Sequence, residues 1–462
     1  MKTRLIVGAT LAASVSYVPS PSVAQDEEAG LRQRLRIEQN FGFGENLGLE
    51  IPSSGSSQLA TTRLTYGLNS ETRTQRFSFV LGGGLRFGEI GTGSRLETGF
   101  VDPLIGLRYA IEGANSSFDF ELDARETDIS QAGALFSFLD ADGAIAPPSD
   151  FSSIRGTGKR RTYRFDSNLL LNQYAPISFL LTAGASGTRY VNPTDTSLVD
   201  FDRSELGART IFRLNPASTL SLSLNRERFQ SQNALNTDRT TDSTQIGFDT
   251  AISARASLSV SAGYTEVETI EGGAITTSSG PSGSLAYTTE MPNGTFNVAF
   301  DLTRNSQGEL GTLRLTRSLE LPLGSFSANI GLANSDSSTT QVIGGLSWLY
   351  QRPTSQFSLR LNREVLFDAN DEQRFTNEVV AGFRTELNPL SNFSVDVSLF
   401  QSEAGLTSNQ VDRGDLTIAF ERELTSDWSF STGVDFSFRD EDTVGRADSS
   451  SLFFGFGRNF DF

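Results

Sequence analysis

From Leu31 to the last residue, apolar side chains recur at every second position in one short segment after another. Phe118, Phe120, Leu122 and Ala124 alternate with Asp119, Glu121 and Asp123. Phe296, Val298, Phe300 and Leu302 alternate with Asn297, Ala299 and Asp301, and Phe393, Val395, Val397 and Leu399 with Ser394, Asp396 and Ser398. A period of two is that of a β-strand with one dry and one wet face; helical spacing would scatter these residues around the axis. The connections alternate in length. Turn chemistry marks tight ones at 69–72, 113–116, 215–218, 292–294, 322–324, 352–355 and 388–391, and polar loops at 44–57, 129–156, 188–204, 229–243 and 266–282 lie between them.

The unit also repeats in its residues. Asn215-Pro216-Ala217-Ser218 leads into Leu220, Leu222 and Leu224 and then Asn225-Arg226-Glu227, just as Arg352-Pro353-Thr354-Ser355 leads into Phe357, Leu359 and Leu361 and then Asn362-Arg363-Glu364. Each unit is a strand, a Pro-containing turn and a returning strand. Counting segments predicts about 22 strands, an even number that puts both chain ends on the side of the short turns. The first apolar residue after a tight turn is repeatedly aromatic: Phe77, Phe118, Phe296, Phe326, Phe357, Phe393 and Trp428. At one common height these residues form the periplasmic aromatic girdle of a membrane barrel. The expectation is an all-β chain, a single transmembrane antiparallel up-and-down β-barrel over 31–462.

The N-terminus reads as an export signal. Lys2 and Arg4 supply the charged region, 5–15 the apolar stretch, and Ser22-Val23-Ala24 the small-residue cleavage site, so 1–24 is a signal peptide cleaved after Ala24 and 25–30 a short periplasmic segment. Composition agrees with a barrel. Hydrophobic content is 37%, yet there are 35 Phe and 43 Gly, and the mean hydropathy is −0.24. A wall wet on one side averages out in hydropathy while remaining rich in aromatic residues and glycine.

The chain has no Cys and no His. That removes thiol and imidazole nucleophilic catalysis, disulfides and the commonest metal ligands, and we expect no enzyme activity, no cofactor and no tightly held metal. Asp140-Ala141-Asp142-Gly143 fails as a calcium loop because Phe138 and Ser149 fall at its first and last ligand positions. Without Lys2 and Arg4 the basic residues fall from 38 to 36 against 55 acidic ones, a net of −19, which disfavours nucleic acid as a partner.

The chain ends with Phe454, Phe456, Phe460 and Phe462 alternating with small or polar residues. Here it resembles the outer-membrane proteins of Gram-negative bacteria, whose last strand ends in an aromatic residue read by the barrel-assembly machinery. The resemblance implies Phe460 and Phe462 as the assembly signal, and outer-membrane lipid and lipopolysaccharide as surroundings. The internal hairpins also resemble the loosely defined porin-like β-barrels found beside surface-polysaccharide genes. Only Gln25 to Gly30 precede the first strand, so no plug domain is expected and a TonB-dependent transporter is disfavoured.

Function is less legible. One expectation is an outer-membrane channel, porin-like for hydrophilic solutes or an exit pore for a surface polymer. The alternative is a non-conducting scaffold barrel filled by its own loops or by a lumen-filling or periplasmic partner protein. Strands about 4.8 Å apart and tilted near 40 degrees give a barrel of 22 strands a diameter of about 40 Å, so something must narrow it. Loop 129–156 is the longest and unusually apolar, and it is expected to fold inward. The lumen and constriction candidates are Leu135, Phe136 and Phe138 on that loop, with Asp119, Glu121, Asp123, Arg125, Arg164, Arg209, Arg213, Arg314 and Arg360 on the wall. On the outside, Arg155, Lys159, Arg160 and Arg161 are expected to meet lipopolysaccharide phosphates. Asp440-Glu441-Asp442 and Asp368 with Asp371-Glu372 are expected to hold divalent cations loosely. Arg317, Arg422 and Arg458 fall in phase with lipid-facing residues but close to the short turns or the chain end, where they can snorkel to headgroups.

Overall fold

In a sheet wet on one side only, every strand needs two neighbours, and inside a bilayer the first strand must also pair with the last. The computed structural model describes residues 30–91, 95–131, 148–336, 338–368, 373–403 and 409–462. It shows this closure, with twenty-two antiparallel strands from β1 (Gly30–Glu45) to β22 (Gly445–Asp461). Each strand pairs with its chain neighbours, and β1 pairs back onto β22 from Arg34↔Asp461 to Glu45↔Ser450. All the strand centres expected from the alternation, from residue 36 to residue 457, fall inside these strands in the same order. Outward positions are the exposed apolar ones, such as Leu81, Leu206, Leu224, Ile246, Ile330 and Leu452. The signal-peptide region lies outside the described residues.

The short-turn end carries the aromatic belt. Tyr109 and Phe118 lie with ring centroids 6.5 Å apart, Trp348 and Phe357 at 5.3 Å, and Phe326 is registered with Trp348 and Phe393 with Phe420. Two of the in-phase arginines find partners there. Arg458 lies over Trp428 at 5.3 Å and Phe460 at 4.5 Å, while Arg317 donates to the turn carbonyl of Pro292 at 3.3 Å. Arg422 is registered opposite Phe430.

Two expected loops are largely strand. β9 (Ser218–Ser231) and β10 (Thr237–Ser253) leave only 232–236 between them, and β11 (Ala256–Glu271) and β12 (Ala274–Met291) are joined through Gly272-Gly273 alone. These glycines take φ of +56 and +86 degrees, the left-handed conformation that a two-residue hairpin of this hand requires. The reason for the error is physical. In the upper β11–β12 hairpin the outward positions carry Glu266, Glu268 and Thr277 instead of apolar residues, while Thr265, Val267 and Thr269 are buried on the other face, so the segment reads as loop while the backbone goes on pairing. At the other end, the turn expected at 69–72 lies at 72–74, after β2 (Ser56–Glu71) and before β3 (Gln75–Ile90).

Candidate functional site

β5 (Ser116–Asp128) and β6 (Lys159–Leu171) are joined by the longest connection. Leu135, Phe136 and Phe138 lie outside its described residues, but 148–156 are described and leave the near wall. Phe151 is only 1% exposed. Its ring packs edge-on against Phe400 of β19 (Ser391–Ser402) at 4.9 Å, and the Arg413 guanidinium of β20 (Val411–Glu423) lies 4.7 Å from its centroid. Arg374 of β18 (Gln373–Asn388) donates to the Ser152 hydroxyl at 3.4 Å, and Arg439 of β21 (Trp428–Glu441) donates to the Ile154 carbonyl at 3.0 Å. From β6 to β20 the shorter way round takes five steps to β1, one across the closing seam and two more from β22. The segment therefore bridges the lumen as a strap.

The near end is fixed by charge and by a small core. Arg160 of β6 donates to both oxygens of Asp150, at 2.6 and 2.8 Å, and the Tyr190 hydroxyl donates to the same carboxylate. Arg160 and Asp150 are buried, so each removes the cost of leaving the other unpaired. Ile129, Ile154 and Leu198 form a buried cluster under Tyr190, and the Gly156 N–H donates to Gly48 in the β1–β2 connection at 2.8 Å. Arg155 bridges two walls, bonding Asp195 in the connection between β7 (Ile177–Val191) and β8 (Phe201–Asn215) and Glu441 at 3.1 Å. Burial pushes the Asp195 carboxyl up, but the Arg155 hydrogen bond and the Ser197 N–H outweigh it and hold the group below the ordinary aspartate range. Arg155 is correspondingly raised: burial opposes its charge, and Asp195 and Glu441 outweigh that.

Beside the strap, Arg86 of β3 is 1% exposed. It donates to Asp102 at 3.1 Å and to Asp128 at 3.0 Å, and Arg63 shares Asp102 at 3.1 Å.

The wall residues expected to form a constriction alternate with outward apolar neighbours and are spread around the wall, from β5 to β17 (Ser355–Phe367). Glu121 accepts from Arg108 at 2.9 Å, Asp123 is registered opposite Arg164 and Asp119 opposite Asn168. Arg164 bonds Asp166 at 2.5 Å and Arg125 reaches Thr162 at 3.4 Å. Arg209 reaches Ser221 at 3.0 Å and Asp249 at 3.4 Å, Arg314 reaches Glu364 at 3.2 Å, and Arg360 is registered opposite Ser347 and Val380. Arg213 is a correction. It donates to the carbonyls of Gln173 and Ala175 and to the Ser178 hydroxyl, holding the β6–β7 turn at the periplasmic end, because it stands only two residues before the end of its own strand β8 (Phe201–Asn215).

The outer basic group also divides. Lys159 and Arg161 share Glu126, each at 2.6 Å, while Arg155 and Arg160 turn into the mouth and are not presented to lipopolysaccharide. The acidic candidates behave likewise: Glu441 is taken by Arg155 and Arg439, and Asp368 is buried beside Arg374 at 3.9 Å. Asp371 and Glu372 lie outside the described residues. Phe151, Ser152, Arg374, Phe400, Arg413 and Arg439 were missed because their partners are more than 200 positions apart.

The sequence matches no protein-family model and no curated protein. Its fold matches solved structures. A mutant of the ferric enterobactin receptor of Pseudomonas aeruginosa aligns over 94% of this chain and 80% of its own, with a TM-score of 0.54 at 9% identity. The apoprotein form of the FrpB iron transporter of Neisseria meningitidis aligns over 94% and 81%, with 0.59 at 8% identity. The siderophore receptor PirA of Acinetobacter baumannii aligns over 93% and 80%, with 0.54 at 8% identity. At such identities the likeness is one of fold: a closed antiparallel ring of 22 strands, of the kind these outer-membrane receptors share.

Proposed function

We propose that the protein is an outer-membrane channel for hydrophilic solutes or a surface polymer, with its conductance set by the strap. The carrying observation is how 148–156 meets β18–β21: through the Phe151–Phe400 contact with Arg413 beside it, guanidinium bonds to Ser152 and Ile154, and the Arg155–Glu441 pair. Such contacts can release without breaking the hydrogen-bonded ring of strands. Fold likeness to receptors and an iron transporter supports transport as the class and names no solute. The lack of His and Cys supports a protein without catalytic chemistry.

The second reading, a scaffold barrel filled by its own loops, is favoured by the buried Arg160–Asp150 pair, which fixes the strap firmly at its near end. Planar-bilayer recordings separate the two. A gated channel gives small steps when intact and much larger ones after deletion of residues 130 to 154. Large steps in both would refute the strap as gate, and silence in both would favour the filled scaffold.

A further inference from the structure

The lumen wall has two chemically different sectors. From β1 through β8, and again from β17 (Ser355–Phe367) through β22, inward positions carry ion pairs and carboxylates, among them Arg108–Glu121, Arg314's partner Glu364, Glu378 and Asp435. Across the middle of β9 to β16 (Ser338–Gln351) they carry few, and the inward Arg239–Glu227 pair lies towards the long-loop end of β9 and β10. Registers place Ser261 opposite Ser284, Thr288 opposite Asn297, and Asn297 opposite Thr316. Each alternates with an outward apolar neighbour such as Val260, Leu285 or Phe300. The inward mid-strand positions of 221–225, 243–249, 259–265, 282–288, 297–301, 312–318, 325–331 and 345–347 are Ser, Thr, Asn, Gln, Gly or Ala throughout, except for Asp249, Asp301 and Arg314. Two of those three charges are paired towards the sector's borders, Asp249 with Arg209 and Arg314 with Glu364.

From this sector we infer a sliding surface for an uncharged polyhydroxylated chain, a neutral glycan. This rests on the channel reading above. The groups are those of a sugar: neutral hydroxyls and amides that both donate and accept. Many already bond their cross-strand neighbours, Ser261 with Ser284 at 2.8 Å, Thr265 with Ser282 at 2.8 Å, Ser318 with Ser327 at 3.0 Å and Asn297 with Thr288 at 2.9 Å. A hydroxyl so engaged keeps spare acceptor capacity, so it can exchange one weak partner for another without leaving a buried group unsatisfied. No aromatic side chain occupies those inward positions, so no sugar ring would be held by stacking. Contacts that are numerous, weak and equivalent suit a polymer in transit better than a ligand to be retained. A neutral wall also neither traps nor repels by charge, whereas the chain as a whole, at −17, repels anionic polymers.

The test uses linear dextran oligomers and oligogalacturonate of equal length. With the full chain folded in detergent micelles, saturation-transfer NMR should show dextran contact at millimolar concentration and at least fivefold weaker contact for oligogalacturonate. In bilayers, the variant lacking 130 to 154 should show brief dextran blocks of its current. The triple variant Ser243→Asp, Ser261→Asp, Ser284→Asp should lose dextran contact at least fivefold in both measurements. A matched control, Ser394→Asp, changes an inward serine of the charged sector and should leave contact unchanged. Equal binding of the two oligomers, no dextran binding, or dextran binding unaffected by the triple change would overturn the inference. Failure of the channel reading shows separately, as silence of the deletion variant in the bilayer with NMR contact still present.

Discussion

Phe151→Ala separates the strap from the barrel more cleanly than any other single change. The ring is 1% exposed, packs against Phe400 at 4.9 Å and lies under Arg413 at 4.7 Å. Burying a phenylalanine contributes about 1.5 to 3 kcal/mol, an edge-on aromatic pair about 0.5 to 1.5, and a cation–π contact of this kind about 0.5 to 2. These overlap, and the direct measure for a buried Phe→Ala is about 3 to 5 kcal/mol. Taking about 3, the docked-to-released ratio of the strap falls about 100-fold, since each 1.4 kcal/mol is tenfold. Strand pairing is untouched, because Phe151 belongs to no ladder. In bilayers Phe151→Ala should therefore spend far more time in the large-conductance state, while its heat-modified gel shift and thermal unfolding stay as in the wild type. Phe151→Leu, keeping much of the buried surface, should fall between. Wild-type gating in a correctly folded Phe151→Ala protein, or a loss of barrel stability as large as the gating effect, would refute the account of how the strap is held.

Acid should act through Asp195. Its folded pKa is depressed, so its stabilisation is complete above the ordinary aspartate value and is lost as pH falls through the depressed one. Channel steps should hold from pH 8 to pH 5 and grow below about pH 4, and Asp195→Asn should show larger steps at neutral pH with the Asp195 part of the acid response gone. Arg458→Ala should change barrel stability in lipid by no more than about 1 kcal/mol, as expected of a charge at the interface; a gain near the midplane value of about 2 to 4 would show a charge buried in lipid and place a protein partner against that wall. Phe462 exchanges backbone hydrogen bonds with Gln33 at 2.9 and 3.3 Å across the closing seam. Its deletion should lower the amount of folded barrel recovered from outer membranes while leaving in vitro refolding in detergent largely intact, and equal recovery would argue against an assembly signal.

Most of the barrel was legible because its cause is local. Alternation at Phe118–Ala124 or Phe393–Leu399 forces a strand with one wet face, and a tight turn forces an antiparallel partner, so the count of segments is the count of strands. Legibility failed where the two faces stop differing. In β11 and β12 the outward face turns polar and the buried inward face is mostly Ser and Thr, so the apolar alternation fades and Glu266 to Ser282 look like loop although the register continues without a break to Ile270↔Ile275. The same reasoning covers the lumen candidates. Parity identified Arg209, Arg314 and Glu121 as inward, but parity carries no partner, and only the structure shows which groups each one meets and that Arg213 belongs to a turn.

The strap is the opposite case. An apolar, Pro-ended loop of that length had to pack against something, so its inward course could be expected from composition, but its landing place could not. Phe151 contacts Phe400, and Arg155, anchored nearby on Asp195, reaches Glu441; the Phe151–Phe400 and Arg155–Glu441 pairs are separated in sequence by most of the barrel's circumference. What joins them is the closure of β1 on β22, which puts the last strands beside the first and makes residues near 150 and near 440 neighbours across one mouth. A strap over an open sheet would have had no far wall to reach. Gating and closure are thus one problem: a change that weakens the β1–β22 seam, such as loss of the Arg34–Asp461 pair at 2.7 Å, acts at the periplasmic end, far from the strap. It should leave channel steps unchanged as long as the ring stays shut, since this exposed pair is worth at most about 1 kcal/mol.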